Sequence, residues 1–290
     1  MLKTINYIRL HPINKSQQFR AIMRFLWWQL KSMIKPGFHK MPFGEKSKIL
    51  AKKGLTGATG NIYCGLHEFN DMAFLLHFLR EGDLFLDIGA NVGSYTILSA
   101  SEVGAQTISF EPIPATFKIL EDNIKVNKVQ RLVELKNYGV GSENGVIRFT
   151  SGLDTVNHVA SASDKDTVEV NVVTIDSEVQ ITKPCLIKID VEGFETEVIN
   201  GMTNTLKNEN VKAIIIELNG SGNRYGYDES QIQQKLIEAG FNPYNYSTFD
   251  RKIIQANKAE SDNLIFIRNT GFVTDRITHA RIFDILNVKF

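Results

Sequence analysis

Two acidic residues at the ends of apolar runs are the first candidates for chemistry in this chain. Asp87 lies near the end of one run, and Gly89 and Gly93 follow it in the pattern Asp-x-Gly-x-x-x-Gly. Glu111 follows a second apolar run, 22 residues after Gly89. If both runs are parallel strands, their carboxyl ends meet at one edge of a sheet, where α/β folds bind ligands. These residues together predict a site for an adenosine-containing cofactor.

Asn91 indicates which cofactor the turn can hold. It stands where the dinucleotide fingerprint Gly-x-Gly-x-x-Gly has its second glycine, and its side chain would crowd a pyrophosphate. S-adenosylmethionine carries adenosine and an amino-acid tail but no phosphate, so it fits. We expect Asp87 to bind the ammonium of that tail, directly or through water, and the backbone at Gly89 to approach the methionine portion. Glu111 is expected to accept hydrogen bonds from both ribose hydroxyls.

Candidate catalytic residues follow two later apolar runs. Asp190 and Glu192 come after the run at 186–189, and Glu217 follows the run at 213–216. Alternate residues of an extended chain share a face, so Asp190 and Glu192 are expected to face the pocket or its rim. Capping of the following helix is expected for one of these two instead. His158 lies in a polar stretch and is a candidate base, because histidine is the side chain that most readily exchanges a proton near neutral pH; a surface role is the alternative.

The same residues give little indication of a metal. A carboxylate pair such as Asp190 and Glu192 can hold Mg²⁺, but three oxygen ligands at a fixed spacing are not evident. The two cysteines, Cys64 and Cys185, are far apart and lack metal-ligand spacing. We therefore expect no metal, and reduced cysteines in a cytosolic setting.

The order of predicted elements indicates the fold. From about residue 72, helical and strand-like segments alternate, with strands at 84–88, 107–110, 133–140, 186–189, 211–218 and 264–267. This alternation predicts a Rossmann-like, doubly wound α/β fold with a mostly parallel sheet. This alternation of helices and strands is interrupted at 146–176, where two strand-like stretches predict an antiparallel insertion beside the site.

A charge asymmetry separates the N-terminal part of the chain. The net charge is +1, yet residues 1–53 contain 12 Lys and Arg and only one acid, Glu45, so the remainder carries −10. Apolar residues recur at helical spacing from 19 to 34 and stop at Pro36-Gly37. We expect this helix to pack its apolar face on the main domain. The alternative is contact with an anionic membrane surface through residues 19–35, with Trp27 and Trp28 near the headgroups.

These observations give three segments: a basic helical extension at 1–60, a Rossmann-like domain at 61–270 and a C-terminal tail at 271–290. No apolar run reaches the ~18–20 residues that span a bilayer, and nothing resembles a signal peptide. We expect a cytoplasmic protein, with peripheral location at the inner membrane face as the alternative. No nucleic-acid recognition motif accompanies the basic charge, so no nucleic-acid partner is expected.

Three blocks of the chain resemble a known family. They read FLDIGANVGSYTILSA, FEPIPATFKILEDNIKVN and LIKIDVEGFETEVINGM, and their residues and order are similar to the FkbM-type methyltransferases. The resemblance covers roughly residues 60–270 and implies S-adenosylmethionine as cofactor, bound by Asp87, Gly89, Asn91, Gly93 and Glu111. It also implies O-methylation of a sugar, glycan or natural product. The alternatives are a nucleotide-cofactor oxidoreductase and a non-catalytic S-adenosylmethionine-binding module.

Overall fold

An eight-stranded sheet forms the centre of the molecule. The structure is a computed structural model that describes residues 2–150, 158–160, 166–256 and 262–290. In spatial order the strands are β12 (Lys252–Gln255), β11 (Asn242–Ser247), β13 (Asn263–Ile267), β10 (Val211–Glu217), β9 (Cys185–Ile189), β3 (Leu84–Ile88), β4 (Gln106–Phe110) and β5 (Val133–Lys136). The five from β10 to β5 are parallel, and the other three join antiparallel. The predicted mostly parallel sheet is confirmed.

Helices cover both faces of this sheet. One face carries α3 (Thr56–Cys64), α4 (Phe69–Phe78), α5 (Ser94–Ile97) with a following π-helical turn (Leu98–Val103), and α11 (Thr270–Thr278). The other carries α7 (Ile175–Glu178), α8 (Glu195–Asn200), α9 (Thr203–Lys207) and α10 (Glu229–Glu238). Strand β10 shows the reason, because Ala213 and Ile215 pack into one core while Ile214 and Ile216 pack into the other. A parallel sheet buried on both faces gives this doubly wound arrangement.

A small second sheet stands beside the carboxyl ends of the central strands. Strands β7 (Gly145–Thr150) and β8 (Thr167–Val173) pair antiparallel, and β6 (Gly139–Val140) joins β8 in parallel. The predicted antiparallel insertion is therefore confirmed. The single strand predicted at 133–140 is wrong, since β5 ends at Lys136 and β6 belongs to the second sheet. Between them the side-chain amide of Asn137 donates to the carbonyls of Glu111 and Pro112, which turns the chain away from β4.

The two ends of the chain share one core with the sheet. The N-terminal part contains α1 (Leu2–Leu10), a 3₁₀ turn (Pro12–Gln17), α2 (Gln18–Ile34) and the hairpin of β1 (His39–Pro42) and β2 (Lys48–Ala51). A long helix, α6 (Pro114–Asn127), contacts β2, and the chain ends in the short hairpin of β14 (Asp284–Ile285) and β15 (Val288–Lys289). Trp28, Ile49 and Phe290 lie in the same hydrophobic cluster as Phe85 of β3.

The packing of α2 differs from the expectation. Its buried residues are Ala21, Phe25, Trp28 and Ser32, and Trp28 is fully buried. The apolar face expected to pack on the main domain is exposed instead, and we call it the α2 stripe: Phe19, Met23, Leu26, Trp27, Leu30, Met33 and Ile34, whose exposures run from 47% to 76%. The helix carries apolar residues on two faces, and the face with Phe25 and Trp28 is the one that packs. None of the helices in the described part of the chain has the length and apolarity needed to cross a membrane.

Candidate functional site

A cavity of about 240 Å³ lies beyond the carboxyl ends of three central strands. The turns after β3 and β4 line it at residues 87–92 and 110–113, and β9 with its following loop lines it at 188 and 190–192. Strand β3 lies between β4 and β9, so the strand order reverses at this point. Ligands of open α/β sheets bind in the crevice at such a reversal. Tyr138, together with Gly139, Val140 and Phe149 of the small second sheet, forms another part of the wall.

The turn after β3 requires glycine at two positions. Gly89 has φ +82° and Gly93 has φ +89°, the left-handed region that favours glycine. A Cβ on Gly89 would lie 1.8 Å from the carbonyl oxygen of Asp190, and one on Gly93 would lie 2.4 Å from Cδ1 of Leu120. Asn91 also has positive φ, at +51°, and its Oδ1 accepts the N–H of Val92 at 2.8 Å. The turn therefore brings bare backbone up to the cavity.

Glu111 is held at the cavity wall by backbone donors. Its Oε2 accepts the N–H of Asn91 and its Oε1 accepts the N–H of Ile113, both at 2.9 Å. The residue is buried, and this burial raises the pKa of Glu111 to about 7, against the lowering effect of the two N–H groups. Each carboxylate oxygen keeps a further lone pair, so a diol can still donate to both.

Asp87 lies beneath the turn, deeper in the sheet. The hydroxyl of Thr96 donates to its Oδ2 at 2.6 Å. Burial raises the pKa of Asp87 to about 6, and the ammonium of Lys188, its register partner on β9, opposes that rise. Lys188 partly balances the charge of Asp87, and a cationic group of a ligand in the cavity could interact with the same carboxylate.

Lys188 is a site residue that the sequence reasoning missed. It is 3% exposed, its Nζ lies 2.6 Å from Oδ2 of Asp190, and the same atom lies 4.7 Å from the ring centroid of Tyr95. Asp190 and the nearby Glu68 and Asp87 raise the pKa of Lys188, against the effect of its burial. The signal was present in the sequence, since a lysine inside an apolar run of five residues needs a buried partner.

Three carboxylates meet at the end of β9 and β10. Oxygen atoms of Asp190, Glu192 and Glu217 all lie within 4.8 Å of one another. Burial and the neighbouring negative charges raise the pKa of Glu192 to about 7 and of Glu217 to about 10. Oε2 of Glu217 is buried and has no hydrogen-bond partner among the described residues. Three oxygen ligands at this spacing could hold a divalent cation. Sequence reasoning named all three residues but did not predict that they meet, because β9 and β10 become neighbours only in the folded sheet.

The helix-capping expectation for Asp190 and Glu192 is wrong. Helix α8 begins without a side-chain cap, and Oε1 of Glu195, its first residue, instead accepts the N–H of Val191 at 3.0 Å and of Gly193 at 3.2 Å in the loop before it. Glu192 itself has φ +56° and lines the cavity. With the backbone donors satisfied by Glu195, the other two carboxylates are left available to a ligand.

His158 lies at the edge of the small second sheet. Its backbone N–H donates to Oγ1 of Thr150 at 3.0 Å, and its carbonyl accepts the N–H of Thr150 at 2.9 Å. Among the described residues the cavity is lined here by Phe149, and His158 does not line it. The preceding residues 154–157 lie outside the described part of the chain.

The chain matches known methyltransferases in sequence. The model of the FkbM methyltransferase domain matches residues 87–243, which is more than half of the chain. A hexuronic acid methyltransferase, AglP of Haloferax volcanii, is 30% identical over 175 residues, which cover 59% of this chain and 69% of AglP. The 31-O-demethyl-FK506 methyltransferase FkbM of Streptomyces tacrolimicus is 35% identical over 85 residues, covering 28% of this chain and 32% of FkbM.

A solved structure gives a more distant likeness. The precorrin-6y C5,15-methyltransferase of Geobacter metallireducens aligns with a TM-score of 0.43 at 14% identity. The alignment covers 78% of this chain and 97% of that one.

The fold, the site and the sequence matches define a class of enzyme. The protein is an S-adenosylmethionine-dependent methyltransferase with a Rossmann-like sheet. Within that class, the chain belongs to the FkbM methyltransferase family.

Proposed function

We propose that this enzyme transfers the methyl group of S-adenosylmethionine to a hydroxyl oxygen of a sugar, glycan or natural product. The names of two relatives, a hexuronic acid methyltransferase and a 31-O-demethyl-FK506 methyltransferase, support this acceptor class. The observation that carries the proposal is the pairing of two features at one cavity. The glycine turn with Asp87 and Glu111 lines it, and so does the adjacent loop that carries Asp190 and Glu192 of the carboxylate cluster.

The turn after β3 has the features that the cofactor needs. Glu111 offers two oxygens to the ribose hydroxyls, and Asp87 offers negative charge to the ammonium of the methionine tail. Gly89, Asn91 and Gly93 let backbone approach, because a side chain at Gly89 has no room. The bound cofactor supplies an activated methyl group on a sulfonium, and the protein supplies binding and orientation.

The carboxylate cluster has the features that an acceptor hydroxyl needs. Glu192 lines the cavity, and a group with a pKa near 7 is well suited to accept a proton at neutral pH. Lys188 balances the charge of Asp190, which leaves Asp190 to orient the hydroxyl. Glu217 is protonated at neutral pH because of its raised pKa, and it can share that proton with the other two carboxylates because their oxygens lie within 4.8 Å of one another. His158 is the remaining candidate base, although it does not line the cavity.

Calorimetric titration with S-adenosylmethionine and, separately, NADH tests the cofactor site. We expect binding of S-adenosylmethionine that weakens in Glu111→Ala, and no binding of NADH. A preference for NADH would revive the oxidoreductase alternative. An acceptor screen with tritiated cofactor then tests turnover: product release by the wild type that Glu192→Gln abolishes supports the acceptor site, whereas tight cofactor binding with no product from any hydroxyl acceptor would favour a non-catalytic module.

A further inference from the structure

The α2 stripe is an apolar surface that the rest of the described chain leaves uncovered. Its residues are three or four positions apart over a helix of 17 residues, so they share one face about 25 Å long. The opposite face is fully engaged, with Phe25 against Tyr63 and Trp28 in the main core. Single exposed apolar residues are common on protein surfaces, but a continuous stripe marks an interaction site.

Basic residues accompany this stripe on the helix and on the segments next to it in sequence. Arg20 and Lys31 lie beside it on the helix, and Nζ of Lys31 lies 4.6 Å from the ring centroid of Trp27. Further exposed basic residues lie on the neighbouring segments: Lys3, Arg9, Lys15, Lys35, Lys40 and Lys52. Glu45, the single acid in the first 53 residues, is already paired with Arg281 at 2.6 Å. The segment that carries the stripe is therefore strongly cationic.

We propose that the α2 stripe binds an anionic lipid bilayer, lying in the plane of the headgroups. An apolar helix face with Trp and Leu, rimmed by Lys and Arg, is the form that helices take at membrane interfaces. Anionic lipids attract the surrounding cations, and the apolar side chains then enter the upper acyl region. Charge complementarity selects this occupant, since a second copy of the chain would bring two cationic surfaces together.

Flotation of the full-length protein with vesicles tests the proposal. We expect binding to vesicles of phosphatidylcholine with phosphatidylglycerol, and at least tenfold weaker binding to phosphatidylcholine alone. Substitution M23E/L26E/L30E should reduce binding at least tenfold. The matched control, I237E/I254E/I282E, changes three exposed apolar residues elsewhere to the same charge and should bind like the wild type. Equal binding by both variants, or no dependence on lipid charge, would overturn the proposal.

Tryptophan fluorescence gives a second readout within the same experiment. The chain has two tryptophans, and Trp28 is buried while Trp27 is 47% exposed. We expect anionic vesicles to shift the emission to the blue and brominated lipids to quench it, and W27F to lose both effects. A stripe that instead pairs two copies would appear as a dimer in light scattering that M23E/L26E/L30E dissociates, which would overturn the lipid assignment. Titration with S-adenosylmethionine in parallel shows whether each variant is folded, and it separates failure of this proposal from failure of the proposed catalytic function.

Discussion

Lys188 and Asp190 form an ion pair of 2.6 Å at the end of β9, with the lysine almost completely buried. Two residues apart on an extended chain, they share a face, and that face also presents the lysine to the ring of Tyr95. Asp87 is the register partner of Lys188 on the adjacent strand. The ammonium of Lys188 therefore balances two carboxylates, that of Asp190 just after its own strand and that of Asp87 on the neighbouring strand.

Removal of this cation should cost stability. Lys188→Met should lower the free energy of unfolding by about 3–5 kcal/mol, because it leaves carboxylates near it without a counter-charge. Urea denaturation measures the change. Lys125→Met is the control, since the Lys125 side chain is 54% exposed and pairs with Asp122 at 3.6 Å, and it should cost less than about 1 kcal/mol. Equal losses in the two variants would mean that burial of the ion pair is unimportant.

Gly89 should be far less replaceable than another glycine of the same conformation. Gly89→Ala places a Cβ 1.8 Å from the carbonyl oxygen of Asp190, so the turn must move and binding of S-adenosylmethionine should be lost. Gly82 has φ +81°, nearly the same as Gly89, but open space around it. Gly82→Ala should therefore cost only the conformational term of about 1–2 kcal/mol and should keep cofactor binding. Calorimetry on both variants checks this, and retained binding by Gly89→Ala would show that the turn is not the cofactor site.

Cofactor affinity should depend on pH through Glu111. The pKa of Glu111 in the ligand-free protein is raised to about 7 by burial, so the carboxyl takes up a proton as the pH falls through that value. A protonated carboxyl accepts hydrogen bonds from ribose less well, so affinity for S-adenosylmethionine should fall between pH 8 and pH 6, by at most about tenfold per pH unit. In Glu111→Gln the affinity should be weaker by about tenfold or more at pH 8. This variant should also show a flatter pH dependence, and an unchanged slope would exclude Glu111 as its cause.

Stability of the ligand-free enzyme should fall as the pH rises from 6.5 to 8.5. The pKa of Glu217 is raised to about 10 by burial and by the charges of Asp190 and Glu192. The folded state therefore holds a proton that the unfolded state has released, and the stability that this proton confers is lost as the pH rises towards the folded pKa. The slope from one such group is at most about 1.4 kcal/mol per pH unit.

Glu217→Gln should flatten that dependence. Urea denaturation of wild type and variant at pH 6.5, 7.5 and 8.5 measures the two slopes. Below pH 6.5 the buried His11 and His77 act in the opposite direction, because burial lowers the pKa of each to about 4 and their protonation favours the unfolded state. An equal slope in the variant would mean that Glu217 ionises as an ordinary surface carboxyl does.

The sequence was sufficient to predict elements whose local apolar pattern agrees with their place in the sheet. The strand predicted at 84–88 has the same bounds in the structure, and the residues after it line one cavity with Glu111, as parallel strands require. The sequence was insufficient to predict elements that form only because another strand or helix packs against them. β11, with the sequence NPYNYS, has no apolar period, and it is a strand because β13 and β12 pair with it. Likewise, periodicity alone could not tell which of the two apolar faces of α2 is buried.

The close approach of Gly89 to Asp190 has a consequence for the evolution of the enzyme. The backbone of the cofactor turn rests directly on the backbone of the loop that carries the candidate catalytic carboxylates, with no side chain between them. The two loops are also fixed to adjacent paired strands, so they form one rigid unit. Adaptation to acceptors of different size is therefore expected elsewhere on the cavity wall, for example at Val140 and Phe149, which belong to an appended sheet that can vary without disturbing the central one.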